Sequence, residues 1–496
     1  MPRFTLTTLG CKVNQYDAMA VATMLSRAGL RRVENERDAD LLVINTCCVT
    51  TTAMSKSRQA IRRAVRAAPA SGVLVMGCYS SYNRRRVADV LADAHVPPDR
   101  ACIVGHGDDL TGQIRRFLHR LQETTLHSGE FHLTGEQAGR SGNDKPITAL
   151  PWGRTQPPTS PQYISSASTV PVKRNVHSRI GPIESFHGHT RAFVKVQDGC
   201  DAFCSYCIVP YCRRTVTYRP VDDVVDECRR LRDAGHPEVV LCGVFLGAYG
   251  RETAVRRRWT DTTSPLTELL AHVAEIDGLW RVRLSSLEPG DLTEDLLSVI
   301  REKPKVAPHL HLPLQSGSDA VLKRMNRQYR TGQYRDAVAR LREALDRPAL
   351  TTDIIVGFPG ESRVDFDRTL EMVRDAGFAK VHAFPFSPIE GTAAWRYRHD
   401  APSGEETRVR MDELRSVASQ TAGAYRKQFV GDTLEGVVES SDNLPEGQRQ
   451  AMTDRYLTVR FAPSDGEDTS GRVMLMAIDA AESETLLGRV VSMVAH

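Results

Sequence analysis

The chain has 496 residues, 41 % hydrophobic and 25 % charged, which is ordinary for a globular protein of two to four domains. It contains no apolar run of the roughly 18 residues that a membrane span needs, and its first residues do not form a secretory signal. A cytoplasmic protein without a membrane partner is therefore expected. The net charge of +4 permits a nucleic-acid partner without demonstrating one. Eleven cysteines in a reducing compartment point to metal binding or catalysis.

The first region, residues 1–125, is predicted to be an α/β domain with a doubly wound parallel sheet. Buried strands are expected at Phe4–Leu9, Leu41–Ile44 and Val73–Met76, with helices at Ala18–Ala28 and Ser55–Ala68. Residues 126–185 are expected to be a flexible linker or insert. The stretch 153–168 in this segment carries three prolines and many Ser and Thr.

The second region, residues 186–427, shows six strand–helix repeats, which suggest an incomplete (β/α)6 version of the eight-unit barrel. The six expected strands are Ala192–Val196, Val239–Leu241, Arg281–Leu284, His309–Leu312, Thr352–Val356 and Lys380–Phe384. The last region, residues 428–496, has short β-like runs that fit a small antiparallel barrel: Thr433–Glu439, Tyr456–Phe461 and Arg472–Ala477.

Three cysteines follow the first expected barrel strand in a C-x3-C-x2-C pattern, at Cys200, Cys204 and Cys207. Barrel active sites lie at that end of the strands. Three close thiolates can hold one cubane cluster, which usually takes four, and they leave one iron open for another ligand. The alternatives are buried thiols or a structural zinc site, which would need a fourth ligand such as Cys212.

A second set of cysteines, Cys11, Cys47 and Cys78, is dispersed along the sequence, yet each member follows the end of a predicted strand. The carboxyl ends of parallel strands converge on one rim, so the three thiols can meet there. Gly10 and Gly77 precede two of them and allow a bulky cluster to approach. The alternative is three unrelated buried cysteines, and Cys48 could compete with Cys47 as a ligand.

The segment Asp198–Pro210 resembles the signature of the radical S-adenosylmethionine enzymes. The resemblance implies that Cys200, Cys204 and Cys207 hold a [4Fe-4S] cluster whose open iron binds S-adenosylmethionine and cleaves it to a 5′-deoxyadenosyl radical. In such enzymes the cofactor supplies the chemistry and the protein positions it.

Three N-terminal segments, Thr8–Asp17, Val43–Cys47 and Met76–Cys78, resemble the N-terminal domain of methylthiotransferases. The resemblance implies that Cys11, Cys47 and Cys78 hold an auxiliary [4Fe-4S] cluster. The opening segment, together with Gly188–Cys200, is most similar to the MtaB-type branch, which acts on N6-threonylcarbamoyladenosine in tRNA.

Four barrel segments also resemble this family: Cys242–Gly250, Leu284–Pro289, His311–Ser318 and Thr352–Glu361. Polar residues at strand exits face the mouth of a barrel. Contacts to S-adenosylmethionine are therefore expected from Ser285, Glu288, Gln315, Asp353 and Gly243, with Gly317 and Gly357 allowing close approach of backbone. Turn formation by Glu288 and helix capping by Asp353 are the alternatives.

Three positions depart from the family pattern and put substrate contacts in doubt. Arg214 replaces a glycine after the cluster loop, Cys242 replaces a threonine, and Ile389 with Glu390 stands where an arginine is common.

Basic residues on the helix Ser55–Ala68 and at Arg84–Arg86 are either a solvated face or phosphate contacts. The C-terminal region resembles a TRAM domain, an RNA-binding barrel, and an anticodon loop offers the unstacked bases that protein can reach. The resemblance implies methylthiolation at C2 of the modified adenosine beside the anticodon, an electron donor such as flavodoxin or ferredoxin, and an unknown sulfur donor.

Three alternatives remain at this point. One is the same chemistry on isopentenyladenosine in tRNA or on a ribosomal-protein aspartate. The second is a radical enzyme whose other cluster only transfers electrons. The third is a non-enzymatic RNA-binding protein with structural metal.

Overall fold

The computed structural model describes residues 1–125, 181–259, 263–439, 444–445, 447–462 and 469–494. Most of the expected linker, residues 126–180, lies outside these ranges. Among the helices in the described ranges, none combines the length and the apolar character needed to cross a bilayer.

The N-terminal domain is a five-stranded, fully parallel sheet in the order β2-β1-β3-β4-β5, which confirms the doubly wound prediction. Its strands are β1 Arg3–Thr8, β2 Arg31–Arg32, β3 Leu41–Thr46, β4 Gly72–Gly77 and β5 Ala101–Val104. Its helices are α1 Lys12–Arg27, α2 Thr51–Ala67, α3 Cys78–Tyr82, α4 Arg84–Asp93 and α5 Leu110–Thr125.

The central strands of this sheet form because their apolar runs are covered on both faces. Every residue of β3 and β4 is buried, as expected for strands inside a doubly wound sheet. Helix α1 begins at Lys12 and not at Ala18, because Cys11 serves as its N-cap residue directly after β1.

The central domain contains six parallel strands in two three-stranded sheets, with the orders β10-β9-β6 and β11-β12-β13. Isolated parallel bridges, Val282 to Val306 and Ser286 to His311, join the two sheets into the incomplete barrel that the sequence predicts. The six barrel strands are β6 Arg191–Lys195, β9 Glu238–Cys242, β10 Arg281–Leu284, β11 His309–His311, β12 Ala349–Val356 and β13 Lys380–Pro385. Two further short strands, β7 Gln197–Asp198 and β8 Thr217–Tyr218, pair with each other outside these sheets.

Helices alternate with these strands and cover the outside of the barrel. They are α6 Val209–Cys212, α7 Val221–Asp233, α8 Pro265–Ala274, α9 Glu294–Glu302, α10 Asp319–Arg324, α11 Thr331–Ala344, α12 Arg363–Ala376 and α13 Gly404–Lys427. The N-terminal helix α1 also packs here, because Tyr16, Met19 and Ala20 belong to the same apolar core as the barrel.

The C-terminal domain is a closed five-stranded barrel in the order β14-β15-β16-β18-β17, which confirms the predicted small barrel. Its strands are β14 Thr433–Glu439, β15 Arg449–Thr453, β16 Thr458–Phe461, β17 Val473–Ala481 and β18 Leu486–Met493. All the pairings are antiparallel except that of β16 with β18, which is parallel.

The C-terminal barrel closes the amino end of the central barrel with Tyr456. This ring stacks on His309, with 4.6 Å between centroids, and lies 5.3 Å and 5.5 Å from the guanidinium carbons of Arg283 and Arg191. Arg283 also donates hydrogen bonds to the carbonyls of Thr453 and Asp454. Since these partners lie at or near the starts of their strands, the carboxyl end of the barrel is left for the functional site.

A buried ion network joins the N-terminal and central domains. Asp17 of α1 contacts Lys195, and its other oxygen lies 2.6 Å from Arg213. Asp198 bridges the same two cations, at 2.9 Å from Lys195 and 2.7 Å from Arg213. Burial alone would raise the pKa of Asp17, but Lys195 and Arg213 together hold this pKa below its ordinary value.

We predict that Asp17→Asn weakens the docking of the two domains. The substitution leaves Lys195 and Arg213 buried with one carboxylate between them, and breaking a buried ion network of this kind costs about 3–5 kcal/mol. Denaturant titration should show a transition displaced by that free energy. Asp38→Asn, at an exposed carboxylate of the same domain, is the control and should stay within about 0.5 kcal/mol of the parent. Equal transitions for both variants would contradict the prediction.

Candidate functional site

The N-terminal cysteines lie together at the carboxyl rim of the first sheet, as their positions after β1, β3 and β4 predict. Each also precedes or begins a helix, because Cys11 caps α1, Cys47 lies just before α2, and Cys78 opens α3. The three thiols lie within electrostatic range of one another, since the pKa of Cys47 responds to both Cys11 and Cys78. A side chain at Gly10 would come within 3.2 Å of the Cys47 sulfur, so glycine is required where this rim closes.

Burial opposes ionisation of two of these thiols. It raises the pKa of Cys47 to about 12, and together with the charge of Cys78 it raises the pKa of Cys11. Cys78 behaves differently, because a hydrogen bond with Cys48 holds its pKa well below the usual value, against the effect of burial. A positive partner such as iron would act against this effect of burial on Cys11 and Cys47.

Asn14 organises this rim from the first turns of α1. Its amide donates to the carbonyls of Leu9 and Thr46, at 2.9 Å and 3.0 Å. Its oxygen accepts from Cys78, at 3.6 Å, and from Arg213, at 3.0 Å. His106 adds a ring nitrogen 3.5 Å from the Cys78 sulfur. The N-terminal thiols are thus held in a fixed polar frame of the kind that surrounds metal ligands.

The central cysteines lie on a loop that the short antiparallel pair β7 and β8 closes at its base. Gly199 turns the chain into this loop with φ of +80°, and a side chain there would overlap the Thr215 carbonyl. The loop is tied to the barrel at its other side, where Asn326 donates to the carbonyls of Ala202 and Phe203. Cys200, Cys204 and Cys207 therefore occupy the carboxyl mouth of the barrel.

Burial also opposes ionisation of the central thiols, raising the pKa of Cys200 to about 12 and that of Cys207 further. The charge of Cys204, on the same loop, also raises the pKa of both. Arg327 donates to the Cys204 sulfur at 3.1 Å. Its guanidinium also lies 2.7 Å from Glu288. A buried cation beside these sulfurs favours thiolates.

The residues expected to contact S-adenosylmethionine lie around the same mouth, and they differ in their hydrogen-bond and ion-pair partners. Ser285 is buried, and its hydroxyl has no hydrogen-bond partner among the described residues. Glu288 is paired with Arg327 and with Arg256, at 3.3 Å from the latter. Asp353 lies 3.3 Å from a ring nitrogen of His311. Gln315 has φ of +64°, a strained conformation that is concentrated at functional sites.

The glycines expected to allow close approach of backbone are required by contacts within the protein, because neighbouring atoms leave no room for a side chain at these positions. The space beside Gly243 is filled by the Gln197 side chain, at 2.8 Å from an added carbon. Beside Gly317 lies the backbone of α12, at 2.5 Å, and beside Gly357 the Thr407 side chain, at 2.6 Å. These close approaches come from neighbouring elements of the barrel.

Both thiol sets are candidate ligands of iron–sulfur clusters. In the described ranges, no three Cys, His, Asp or Glu side chains converge where one metal ion could be held. A cubane cluster binds each thiolate through a different iron, so its ligands need not converge on one ion. The unpartnered hydroxyl of Ser285 at the barrel mouth fits a cofactor bound beside the central set.

The two sets are linked by the segment that follows Cys207. Ile208 and Cys212 pack with Cys48, Cys78 and Ile389 in one apolar cluster. Ile389, which departs from the family pattern, thus takes part in domain packing. Arg214, the second departure, donates to the Tyr211 carbonyl and is exposed.

The third departure, Cys242, is buried at the end of β9. Burial raises its pKa, and the charge of Cys11 acts in the same direction.

Sequence reasoning missed several residues of this site. Arg327, His106 and the Asp17–Arg213 pair act through partners distant in sequence, and nothing local distinguishes them from other charged residues. A partial signal existed for Asp17, Lys195 and Asp198, which fall inside the segments that resemble the methylthiotransferases.

Four of the eight basic residues singled out on α2 and α4 are paired with carboxylates at the surface, namely Arg62, Arg63, Arg84 and Arg86. Arg62 and Arg63 contact Asp93 and Glu36, at 3.6 Å and 3.4 Å. Arg84 lies 2.7 Å from Asp108. These pairs agree with a solvated face, although exposed pairs of this kind are weak and can exchange for phosphates.

Comparison with known families matches two parts of the chain. Residues 3–96 match the model described as Uncharacterized protein family UPF0004, and residues 194–373 match the Radical SAM superfamily. The second match carries with it a [4Fe-4S] cluster and S-adenosylmethionine.

Individual proteins are similar over almost the whole chain. The threonylcarbamoyladenosine tRNA methylthiotransferase MtaB of Chlamydia pneumoniae is 32 % identical, over 98 % of this chain and 98 % of its own length. The tRNA-2-methylthio-N(6)-dimethylallyladenosine synthase of Anaplasma marginale (strain St. Maries) is 30 % identical, over 96 % and 93 %. Among solved structures, the radical S-adenosylmethionine methyltransferase TsrM of Kitasatospora setae aligns with a TM-score of 0.47 at 14 % identity, over 77 % of this chain and 72 % of that chain.

These matches agree with the geometry, because both thiol sets and the barrel fall within the matched segments. The non-enzymatic alternative therefore does not hold. The chain belongs to the radical S-adenosylmethionine methylthiotransferase family and is an enzyme of that class.

Proposed function

We propose that this enzyme methylthiolates C2 of N6-threonylcarbamoyladenosine beside the anticodon of tRNA, using two [4Fe-4S] clusters. The observation that carries the proposal is the 32 % identity, over 98 % of the chain, to a relative that bears this activity in its name. The same chemistry on isopentenyladenosine is the second candidate, favoured by the 30 % identical relative named for dimethylallyladenosine.

In this proposal the central thiols hold the cluster that, with S-adenosylmethionine bound, supplies the 5′-deoxyadenosyl radical. Cys200, Cys204 and Cys207 are the ligands. Arg327 donates a hydrogen bond to the Cys204 sulfur and fixes the Glu288 carboxylate at the mouth of the barrel. The free hydroxyl of Ser285 is available to the cofactor, and Gln315, Asp353 and the backbone at Gly243 are the further contacts that we assign to it.

Cys11, Cys47 and Cys78 are the proposed ligands of the auxiliary cluster, which carries the sulfur to be transferred. The support is their convergence on one rim, their positions at helix starts, and the donors around Cys78. Asn14 holds this rim by four hydrogen bonds, and the Asp17 network fixes it against the barrel. Substrate would therefore lie between two rigidly related sites.

The tRNA would bind with its anticodon loop at the carboxyl mouth of the central barrel. A flavodoxin or ferredoxin is the proposed electron donor. The C-terminal barrel, by its resemblance to a TRAM domain, is proposed to hold the RNA outside the reacting loop.

Removal of each thiol set should remove one cluster. We expect about eight iron atoms per reconstituted chain, and about four after replacing either Cys11, Cys47 and Cys78 or Cys200, Cys204 and Cys207 with alanine. Iron and sulfide analysis under anaerobic conditions measures this. The Cys102→Ala variant, at a cysteine remote from both sets, should retain the parental iron. A full iron content without the N-terminal set would disprove the auxiliary cluster.

Arg327→Gln should loosen the central cluster without unfolding the barrel. Loss of a donor to a metal ligand typically lowers metal affinity by about 10–100-fold. Competition with an iron chelator measures that affinity, and the matched control is Arg335→Gln, at an exposed arginine on α11. If both variants retain iron equally, Arg327 has no function toward the cluster.

The substrate is tested by mass spectrometry of tRNA nucleosides from a strain lacking this gene. The methylthio form of threonylcarbamoyladenosine should disappear while its precursor accumulates, and the intact gene should restore it. A gene carrying Cys204→Ala is the control and should not. If the methylthio form of isopentenyladenosine disappears instead, the second candidate is correct. If neither changes, a ribosomal-protein aspartate is the next substrate to assay, and absence of any methylthio product would favour a cluster used only for electron transfer.

A further inference from the structure

Two cysteines outside both proposed ligand sets meet at the interface between the first two domains. The sulfurs of Cys48 and Cys212 lie 3.6 Å apart, although the residues are 164 positions apart in the sequence. Cys48 follows Cys47 at the rim of the first sheet, and Cys212 ends the short helix α6 that follows the central cysteine loop. A disulfide requires about 2.05 Å between sulfurs, so a modest side-chain rotation would bring these two into bonding distance.

The two thiols differ in whether they border a cavity. Both side chains are buried, but Cys212, at 5 % exposure, lines a cavity of about 660 Å³ between the domains, and Cys48, at 0 %, does not. The cavity lining carries five arginine or lysine side chains against the three carboxylates of Asp17, Asp108 and Asp198, and Arg214 has no carboxylate partner in the described ranges. A cavity with this lining suits a small disulfide that carries carboxylates.

We propose that Cys48 and Cys212 form a redox-active dithiol, which exchanges with a small carboxylated disulfide and closes into a bond between the domains. The Cys212 thiol attacks the small disulfide RSSR, giving a mixed disulfide and releasing one RSH. Cys48 then attacks the Cys212 sulfur, forming the Cys48–Cys212 bond and releasing the second RSH. Two protein sulfurs are oxidised, RSSR is reduced, and the two thiol protons leave on the two RSH molecules.

The bond would connect the two cluster sites directly. Cys48 is adjacent to Cys47, and Cys212 is five residues beyond Cys207, so closure fixes the two proposed ligand sets relative to each other. It would also prevent Cys48 from competing with Cys47 for iron. This inference concerns thiols that the proposed reaction does not use, and it stands whichever substrate the enzyme has.

The test treats the cluster-loaded protein anaerobically with oxidised glutathione, followed by alkylation, digestion and peptide mass spectrometry. We expect the loss of two alkylatable thiols, a mass lower by two hydrogen atoms, and one cross-linked peptide pair containing Cys48 and Cys212. Dithiothreitol should reverse all three changes. The bond should also raise the midpoint of thermal unfolding, because it closes a long loop.

Variants separate the two steps. Cys48→Ser should stop at the mixed disulfide, with one glutathione attached to Cys212. Cys212→Ser should give neither an adduct at Cys48 nor a cross-link, because Cys48, unlike Cys212, does not line the cavity. Cys102→Ser is the matched control, since this thiol is partly exposed in the same domain, and it should cross-link like the parent. The proposal is overturned if the parent yields no Cys48–Cys212 peptide, or if Cys48 pairs with Cys78 instead.

Discussion

The placement of both cysteine sets depends on one carboxylate, that of Asp17, held in a buried site between Lys195 and Arg213. Asp17 lies six residues after Cys11, Arg213 six residues after Cys207, and Lys195 and Asp198 at the base of the central cysteine loop. Buried charges are tolerated only when each has a partner, and here two acids and two bases satisfy one another. Any shift of one domain against the other would leave at least one of these charges uncompensated. The network therefore fixes the distance between the two cysteine sets, which the proposed two-cluster reaction requires.

The two ends of the central barrel differ in the side chains that they carry. At the carboxyl end the loops carry thiols, a free serine hydroxyl and a strained glutamine, all arranged around an open mouth. At the amino end the buried Glu238 binds Arg283, and Tyr456 covers the cluster of charges.

Much of this arrangement could be predicted from the sequence, because it follows from local pattern and parallel topology. The apolar runs of β1, β3 and β4 end in Cys11, Cys47 and Cys78, and parallel strands bring their ends together. The missing parts depend on partners distant along the chain. Among 65 basic and 61 acidic residues, nothing local pairs Asp17 with Arg213 or Arg327 with Glu288. Gly243 and Gly317 illustrate a different reason, since the atoms that approach them come from Gln197 and α12, which a linear pattern does not reveal.

Tyr456 closes the amino end of the central barrel, and this contact limits how the C-terminal barrel can be removed or exchanged. Removing the C-terminal barrel would strip the ring from His309 and take away the carbonyls that receive hydrogen bonds from Arg283, exposing a charged interior to water. A chain shortened in this way would lack the C-terminal barrel and would also have a destabilised central barrel. Exchange of C-terminal modules between relatives is feasible only if an aromatic residue at this position is retained. The C-terminal barrel is thus a structural part of the enzyme's core and not a domain that can be removed independently.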